Sequence, residues 1–158
     1  YGCKKQEVSE EVIKDWNNTE NPIVNEFNDV LMYDNLFVDV PTWENKYENG
    51  VNIYKSEKAI LGISFENGFA LDQIKNSLGA SVYYSDKTTK DINGFKATIK
   101  EYTVSYDSNS EKPALDYSLS KDDYNINFVI IGLKNATKDE VYNVSEEFIN
   151  RIKINVGE

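Results

Sequence analysis

The clearest pattern of hydrophobic and polar positions lies in the last third of the chain. From Tyr124 to Leu133 the sequence first alternates and then becomes continuously apolar, which predicts a strand covered on both faces near its middle. The run from Leu115 to Leu119 alternates throughout, so it predicts a partner strand with one buried face. The polar residues between the two runs predict a hairpin turn at 120–123.

An amphipathic helix is predicted from Lys138 to Ile152. Thr137 and Glu140 have the spacing of a capping box, in which each side chain accepts a backbone N–H of the other residue. One apolar stripe then recurs at helical spacing, at Val141, Val144, Phe148 and Ile152. The stripe indicates a helix packed on the sheet.

Further strand patterns precede this region. They lie at 30–33, 36–40, 51–53, 59–65 and 95–106, with an irregular strand within 80–91. Leu71, Ile74 and Leu78 have helical spacing before Gly79, which predicts a short helix. The polar stretch 42–50 is predicted to be a loop. In 95–106 the apolar residues lie at odd positions up to Ile99 and at even positions from Tyr102 onwards. A β-bulge near Lys100 or Glu101 would add one residue to the strand and place all of them on a single buried face.

The first 29 residues differ from the rest in composition. Gly2 and Cys3, followed by polar residues, resemble the end of a bacterial lipoprotein signal peptide, where the cysteine is lipidated. Cys3 is the one cysteine of the chain, which also rules out an internal disulfide. We therefore expect a domain at 30–158 held outside the cytoplasm, with Cys3 anchoring it to the bacterial cell membrane. Residues 1–29 then form a lipid-anchor remnant and a polar tether, within which Val12, Ile13 and Trp16 favour one short helix.

Charge and composition exclude several classes of function. With 17 basic and 27 acidic residues the net charge is −10, so nucleic-acid binding is not expected. The chain has no histidine, which removes hydrolase chemistry with a histidine base and the usual zinc sites. The aspartates at 107, 116, 122 and 123 lack the spacing of an EF-hand, and we expect no metal and no cofactor.

Three local features resemble the PsbP/Mog1-like superfamily. They are a strand ending in Pro41 and Trp43, the turn at 91–94 into a long strand, and the strand and helix between 124 and 152. The resemblance implies an α+β fold, an antiparallel sheet with helices packed on it as an α/β/α sandwich. It also implies a protein that acts through protein contacts and not as an enzyme. A cystatin-like α+β fold is the alternative.

Aromatic residues supply the candidate binding surface. The candidates are the pair Tyr83 and Tyr84 together with Trp43, which lies among polar residues and is expected to be an exposed contact. The alternative interpretation of the tyrosines is that they are good strand formers in the core and on the sheet surface. The partner would be another envelope or cell-surface protein. Two alternatives remain: a small-ligand carrier with a tyrosine-lined pocket of at least about 300 Å³, and an enzyme that uses a pair of carboxylates.

Overall fold

A computed structural model describes residues 29–33, 36–65 and 70–154 of the chain. Cys3 and the short helix considered for the tether lie outside the described residues. The elements are β1 (Asp29–Tyr33), β2 (Leu36–Val40), β3 (Glu44–Glu48), β4 (Val51–Lys55), β5 (Ala59–Ser64), α1 (Ala70–Ile74), a 3₁₀ turn (Lys75–Ser77), β6 (Ser81–Ile92), β7 (Phe95–Asp107), β8 (Ser110–Lys121), β9 (Tyr124–Gly132), α2 (Lys138–Ile149) and β10 (Ile152–Ile154).

The strands form two antiparallel sheets. The large sheet has the order β3-β4-β5-β9-β8-β7-β6, which places the predicted central strand, β9, in the middle. The small sheet has the order β1-β2-β10. The predicted hairpin of β8 and β9 is confirmed, and it turns through Asp122 and Asp123, with Asp122 at a φ of 53°.

One face of the large sheet is covered by α2 and the small sheet. The predicted capping box is present: the Thr137 side chain accepts from the Glu140 N–H, and Glu140 accepts from the Thr137 N–H. The apolar side chains of α2 pack in one core together with residues of the large sheet and of β2. The largest fully buried side chains of this core include Phe128, Phe148, Leu36, Leu61, Ile63, Ile126 and Ile130. We call this side the α2 face.

The opposite side, the α1 face, has a second core. It joins α1 to inward-facing residues of five strands and contains Val51, Ile60, Leu71, Ile74, Val104, Val129 and Ile131. Because β5 and β9 contribute to both cores, all of β5 and most of β9 are buried.

Three predicted elements differ in the structure. The helix α2 ends at Ile149, and Ile152 begins β10, where it pairs with Val38 instead of extending the stripe. The predicted loop 42–50 contains β3, an edge strand with every side chain exposed, so it has no hydrophobic alternation to reveal it. The predicted partner strand at 115–119 is longer in the structure, since β8 runs from Ser110 to Lys121.

The predicted bulge in the long strand was also wrong. The pairing of β7 with β8 runs without a shift past Lys100 and Glu101. The parity changes because Phe95, Ala97 and Ile99 belong to the core of the α2 face, whereas Tyr102 and Val104 belong to that of the α1 face. The register shifts at two other places: in β6, where Ser85 is the extra residue between Tyr84 and Asp86, and near the end of β7, between Ser105 and Asp107.

Of the helices in the described ranges, none is both long enough and apolar enough to cross a membrane.

Candidate functional site

The candidate residues Tyr83 and Tyr84 lie on β6, an edge strand of the large sheet. Each side chain is 58% exposed, but the two point to opposite faces because neighbouring residues of a strand alternate. Tyr83 pairs with Thr103 on the α2 face. Tyr84 pairs with Tyr102 on the α1 face, and their rings make an edge contact at 5.7 Å between centroids. The two tyrosines therefore do not form one surface.

Trp43 is buried, so its expected role as an exposed contact was wrong. Its side chain is only 7% exposed and packs in the core of the α2 face with Val40 and Tyr54. The surrounding residues are polar because they belong to an exposed turn and an exposed edge strand. The large apolar area of the indole is nevertheless removed from water, as is usual for tryptophan.

A surface of tyrosines and acids lies on the α2 face around Tyr83. Asp86 on β6 is directly opposite Glu101 on β7, and Tyr142 of α2 donates a hydrogen bond from its hydroxyl to Glu101 at 2.5 Å. Asp139, one turn earlier on α2, is close enough to affect the ionisation of Tyr142. We call the set Tyr83, Asp86, Glu101, Asp139 and Tyr142 the acidic tyrosine patch.

The electrostatics of this patch are dominated by negative charge. The hydrogen bond to Glu101, together with burial and the charge of Asp139, raises the pKa of Tyr142 to about 12. Asp86 and Glu101 form no ion pair with a basic side chain in the described part of the chain. Two like charges directly opposite each other on neighbouring strands destabilise the sheet. The Asp86 carboxylate accepts a hydrogen bond from the Lys87 N–H at 2.8 Å and Glu101 accepts one from Tyr142, but neither hydrogen bond neutralises the charges.

The backbone of β6 adds to this surface. It is the last strand of the large sheet, so its outer edge has no partner strand among the described residues. Unpaired edges are templates for a strand from another chain, and charges and bulges restrict such pairing. Here the bulge at Ser85 separates Val82, Tyr83 and Tyr84 from the charged second half of β6. The segment before the bulge is therefore the part best suited to pair with another strand.

A groove opens on the other side of the sheet, between the β3–β4 edge and the 3₁₀ turn. Its volume is about 550 Å³. The apolar lining consists of Ile53, Ile60, Ile74, Leu78 and Leu133, and the polar lining of Lys46, Glu48, Asn49, Lys55, Asn76 and Ser77. We call it the lysine-rimmed groove. Its described lining contains no tyrosine, so this groove is not the tyrosine-lined pocket considered as an alternative.

A buried polar network holds α1 in place beside this groove. Asn127 of β9 is 3% exposed, and its side-chain oxygen accepts from the Ala70 N–H at 2.8 Å. Its amide nitrogen donates to the Tyr117 carbonyl at 2.9 Å and to the Asp116 carboxylate at 2.6 Å. Burial raises the pKa of Asp116 and the charge of Asp72 adds to this, although the hydrogen bond from Asn127 opposes it.

The acidic residues that the structure describes do not form a metal-binding group. Within the described ranges, no three side chains of Asp, Glu, His or Cys come together as ligands. Of the aspartates considered in the sequence, Asp107 bonds to the Asn109 N–H and pairs with Lys134, while Asp116 belongs to the network above. Glu48 is the one carboxylate in the lining of the lysine-rimmed groove, so this groove does not hold a pair of facing acids.

Comparison with known proteins identifies the fold. No protein-family model and no curated protein sequence matches the chain. Among solved structures, the chain is similar to the solution structure of cyanobacterial PsbP from Synechocystis sp. PCC 6803, with 13% identity and a TM-score of 0.56 over 80% of this chain and 91% of that one. A crystal structure of a protein of unknown function from Pseudomonas aeruginosa is a weaker match, with 11% identity and a TM-score of 0.34 over 66% of this chain and 82% of that one.

The architecture is therefore an α+β fold with antiparallel sheets. More specifically, it is a PsbP-like fold, as the sequence motifs predicted, and not the cystatin-like alternative. At this level of identity the likeness concerns the fold alone.

Proposed function

We propose that the protein is a non-catalytic binding domain whose acidic tyrosine patch docks a basic segment of another envelope protein. The observation that carries the proposal is the unneutralised pair of Asp86 and Glu101, set between the exposed rings of Tyr83 and Tyr142. Tyrosine combines a large apolar ring with a polar tip, and it is enriched in protein interfaces. Lysine or arginine on a partner would remove the repulsion between the two carboxylates.

The charge of the whole chain supports a basic protein as the partner. A net charge of −10 repels nucleic acid and anionic lipid, and it accelerates encounters with a positively charged protein surface. The wider PsbP/Mog1-like resemblance of the sequence, which implies action through protein contacts, agrees with this proposal.

We further propose that the domain is extracytoplasmic and anchored through lipidated Cys3. The small residue before the cysteine and the polar continuation support the assignment. The test is metabolic labelling of the full-length precursor with a clickable palmitate analogue in a bacterium that processes lipoproteins. Labelled protein in the membrane fraction is expected for the wild type and not for Cys3→Ser. Equal labelling of both would overturn the anchor.

Charge reversal tests the patch. The full-length protein carrying Asp86→Lys with Glu101→Lys is compared in cells of the source organism with a variant carrying Glu57→Lys with Asp123→Lys. The control pair lies in exposed turns outside the patch and changes the net charge equally. After cross-linking, the partner captured by the wild type should be lost from the patch variant and kept by the control. Loss from both variants, or from neither, would contradict docking at the patch.

A further inference from the structure

The lysine-rimmed groove combines an apolar floor with cationic side chains. Ile60 and Ile74 are buried at its base, whereas Ile53, Leu78 and Leu133 are only partly covered and leave apolar surface facing the opening. A concavity of about 550 Å³ lies in the range of small-molecule sites, which run from roughly 300 to 1,000 Å³. The apolar floor favours a hydrocarbon or aromatic group.

The rim adds the polar recognition. Lys46 pairs with Glu48 at 3.0 Å, but Lys55 forms no ion pair with any side chain in the described ranges. Two lysines and one acid give the lining a net charge of +1, although acids outnumber bases by 27 to 17 in the chain. Asn76 and Ser77 place further hydrogen-bonding groups on the opposite wall.

We infer that the lysine-rimmed groove binds a small amphipathic anion, a carboxylate on an apolar body. The apolar body would cover Ile53, Leu78 and Leu133, and the carboxylate would lie beside Lys55 and Lys46. A free ammonium at the edge of an apolar surface is suited to this chemistry because the anion gains a charge-assisted hydrogen bond while its tail leaves water. This site is independent of the acidic tyrosine patch, since the two lie on opposite faces of the large sheet.

Octanoate is a suitable probe, with octanol as its neutral counterpart. Titration of the ¹⁵N-labelled full chain should shift the amide signals of the groove residues in NMR spectra, and octanoate should bind roughly two- to fivefold more tightly than octanol. Equal affinity for the two would overturn the cationic part of the site. Shifts confined to residues outside the groove would overturn its location.

Charge variants complete the test. Lys46→Glu with Lys55→Glu should weaken octanoate binding about fivefold or more, whereas Lys87→Glu with Lys90→Glu, on the opposite edge of the sheet, should change it less than twofold. Should the groove variant not fold, Lys55→Gln removes one exposed charge from the rim and should weaken binding in the same direction. Unchanged binding in the groove variants would overturn the proposal.

Discussion

At the scale of the residue, Asp116 is a partly buried carboxyl group, and burial disfavours its charged form. Its carboxylate accepts a hydrogen bond from the buried Asn127, which in turn holds the first turn of α1. Burial raises the pKa of Asp116 above the value of 3.8 for an unperturbed aspartate. The folded state therefore holds this proton more tightly than the unfolded chain does.

The sign of the pH dependence follows from this shift. The stabilisation linked to the proton on Asp116 is complete below pH 3.8 and is lost as the pH rises through the higher folded-state pKa. Asp116→Asn keeps an acceptor for Asn127 and cannot ionise. Urea unfolding at pH 4 and pH 7 should show that the variant gains stability over the wild type as the pH rises. A constant difference between the two proteins would contradict the prediction.

Trp43 shows the limit of sequence reasoning about single residues. Its polar neighbours indicated an exposed loop, but the ring belongs to the core of the α2 face. The signal that could have corrected the prediction was its place directly after the buried strand β2 and Pro41, where the chain still lies over the core. Tyr83 and Tyr84 are exposed, and their division between two faces follows from the pairing of β6 with β7.

At the scale of the element, the packing of α2 on β9 depends on a close approach at Gly132. A Cβ atom there would lie 2.7 Å from Val141 of α2, 3.0 Å from the Lys112 Cβ and 3.2 Å from the Pro113 carbonyl. These contacts surround the site with groups that have little room to move. Gly132 is therefore required for the distance between helix and sheet.

Gly132→Ala should lower the free energy of unfolding by about 1–3 kcal/mol through overpacking. Gly62→Ala is the matched control on β5, where the close contact at 2.5 Å is with the terminal Cδ1 of Ile74 and the next contacts are at 3.4 Å. Because the end of an isoleucine side chain can rotate, this change should cost less. Urea unfolding of both variants measures the difference, and a larger loss for Gly62→Ala would contradict the prediction.

The capping box of α2 gives a second prediction. Burial alone would raise the pKa of Glu140, but contacts with Lys58 and Thr137 outweigh burial and lower this pKa. The Glu140 carboxylate lies 2.6 Å from the Lys58 ammonium. Thr137→Ala removes the cap and should cost about 1 kcal/mol in urea unfolding at pH 7. Thr137→Ser keeps the hydroxyl and should cost much less. Equal losses in the two variants would show that the hydroxyl is not the stabilising group.

Elements with strong periodicity could be predicted from the sequence, and elements without it could not. The hairpin of β8 and β9 and the capped start of α2 follow from local patterns. The strand β3 has no apolar face, and Ile152 continues the helical stripe although its backbone pairs with β2. In β7 the apolar residues move from odd to even positions because the first half of the strand packs in one core and the second half in the other. The sequence of β7 alone does not show that two cores exist.

At the scale of the whole molecule, the large sheet separates two surfaces of different chemistry. The α2 face carries the acidic tyrosine patch at the β6 edge, and the α1 face carries the lysine-rimmed groove at the β3 edge. Beside Tyr84 the α1 face also pairs Lys87 with Lys100, so the two sides of β6 differ in charge. Neither surface could be found from the sequence, because each joins residues that are far apart in the chain.

The most direct test of the central proposal uses the contrast between Tyr83 and Tyr84. A photoreactive p-benzoylphenylalanine is placed at either position in the full-length protein, and cells of the source organism are irradiated. The two positions are equally exposed and adjacent in sequence but lie on opposite faces. Position 83 should give a cross-link to a basic envelope protein, and position 84 should not. Equal cross-linking from both, or cross-linking from position 84 alone, would contradict docking at the acidic tyrosine patch.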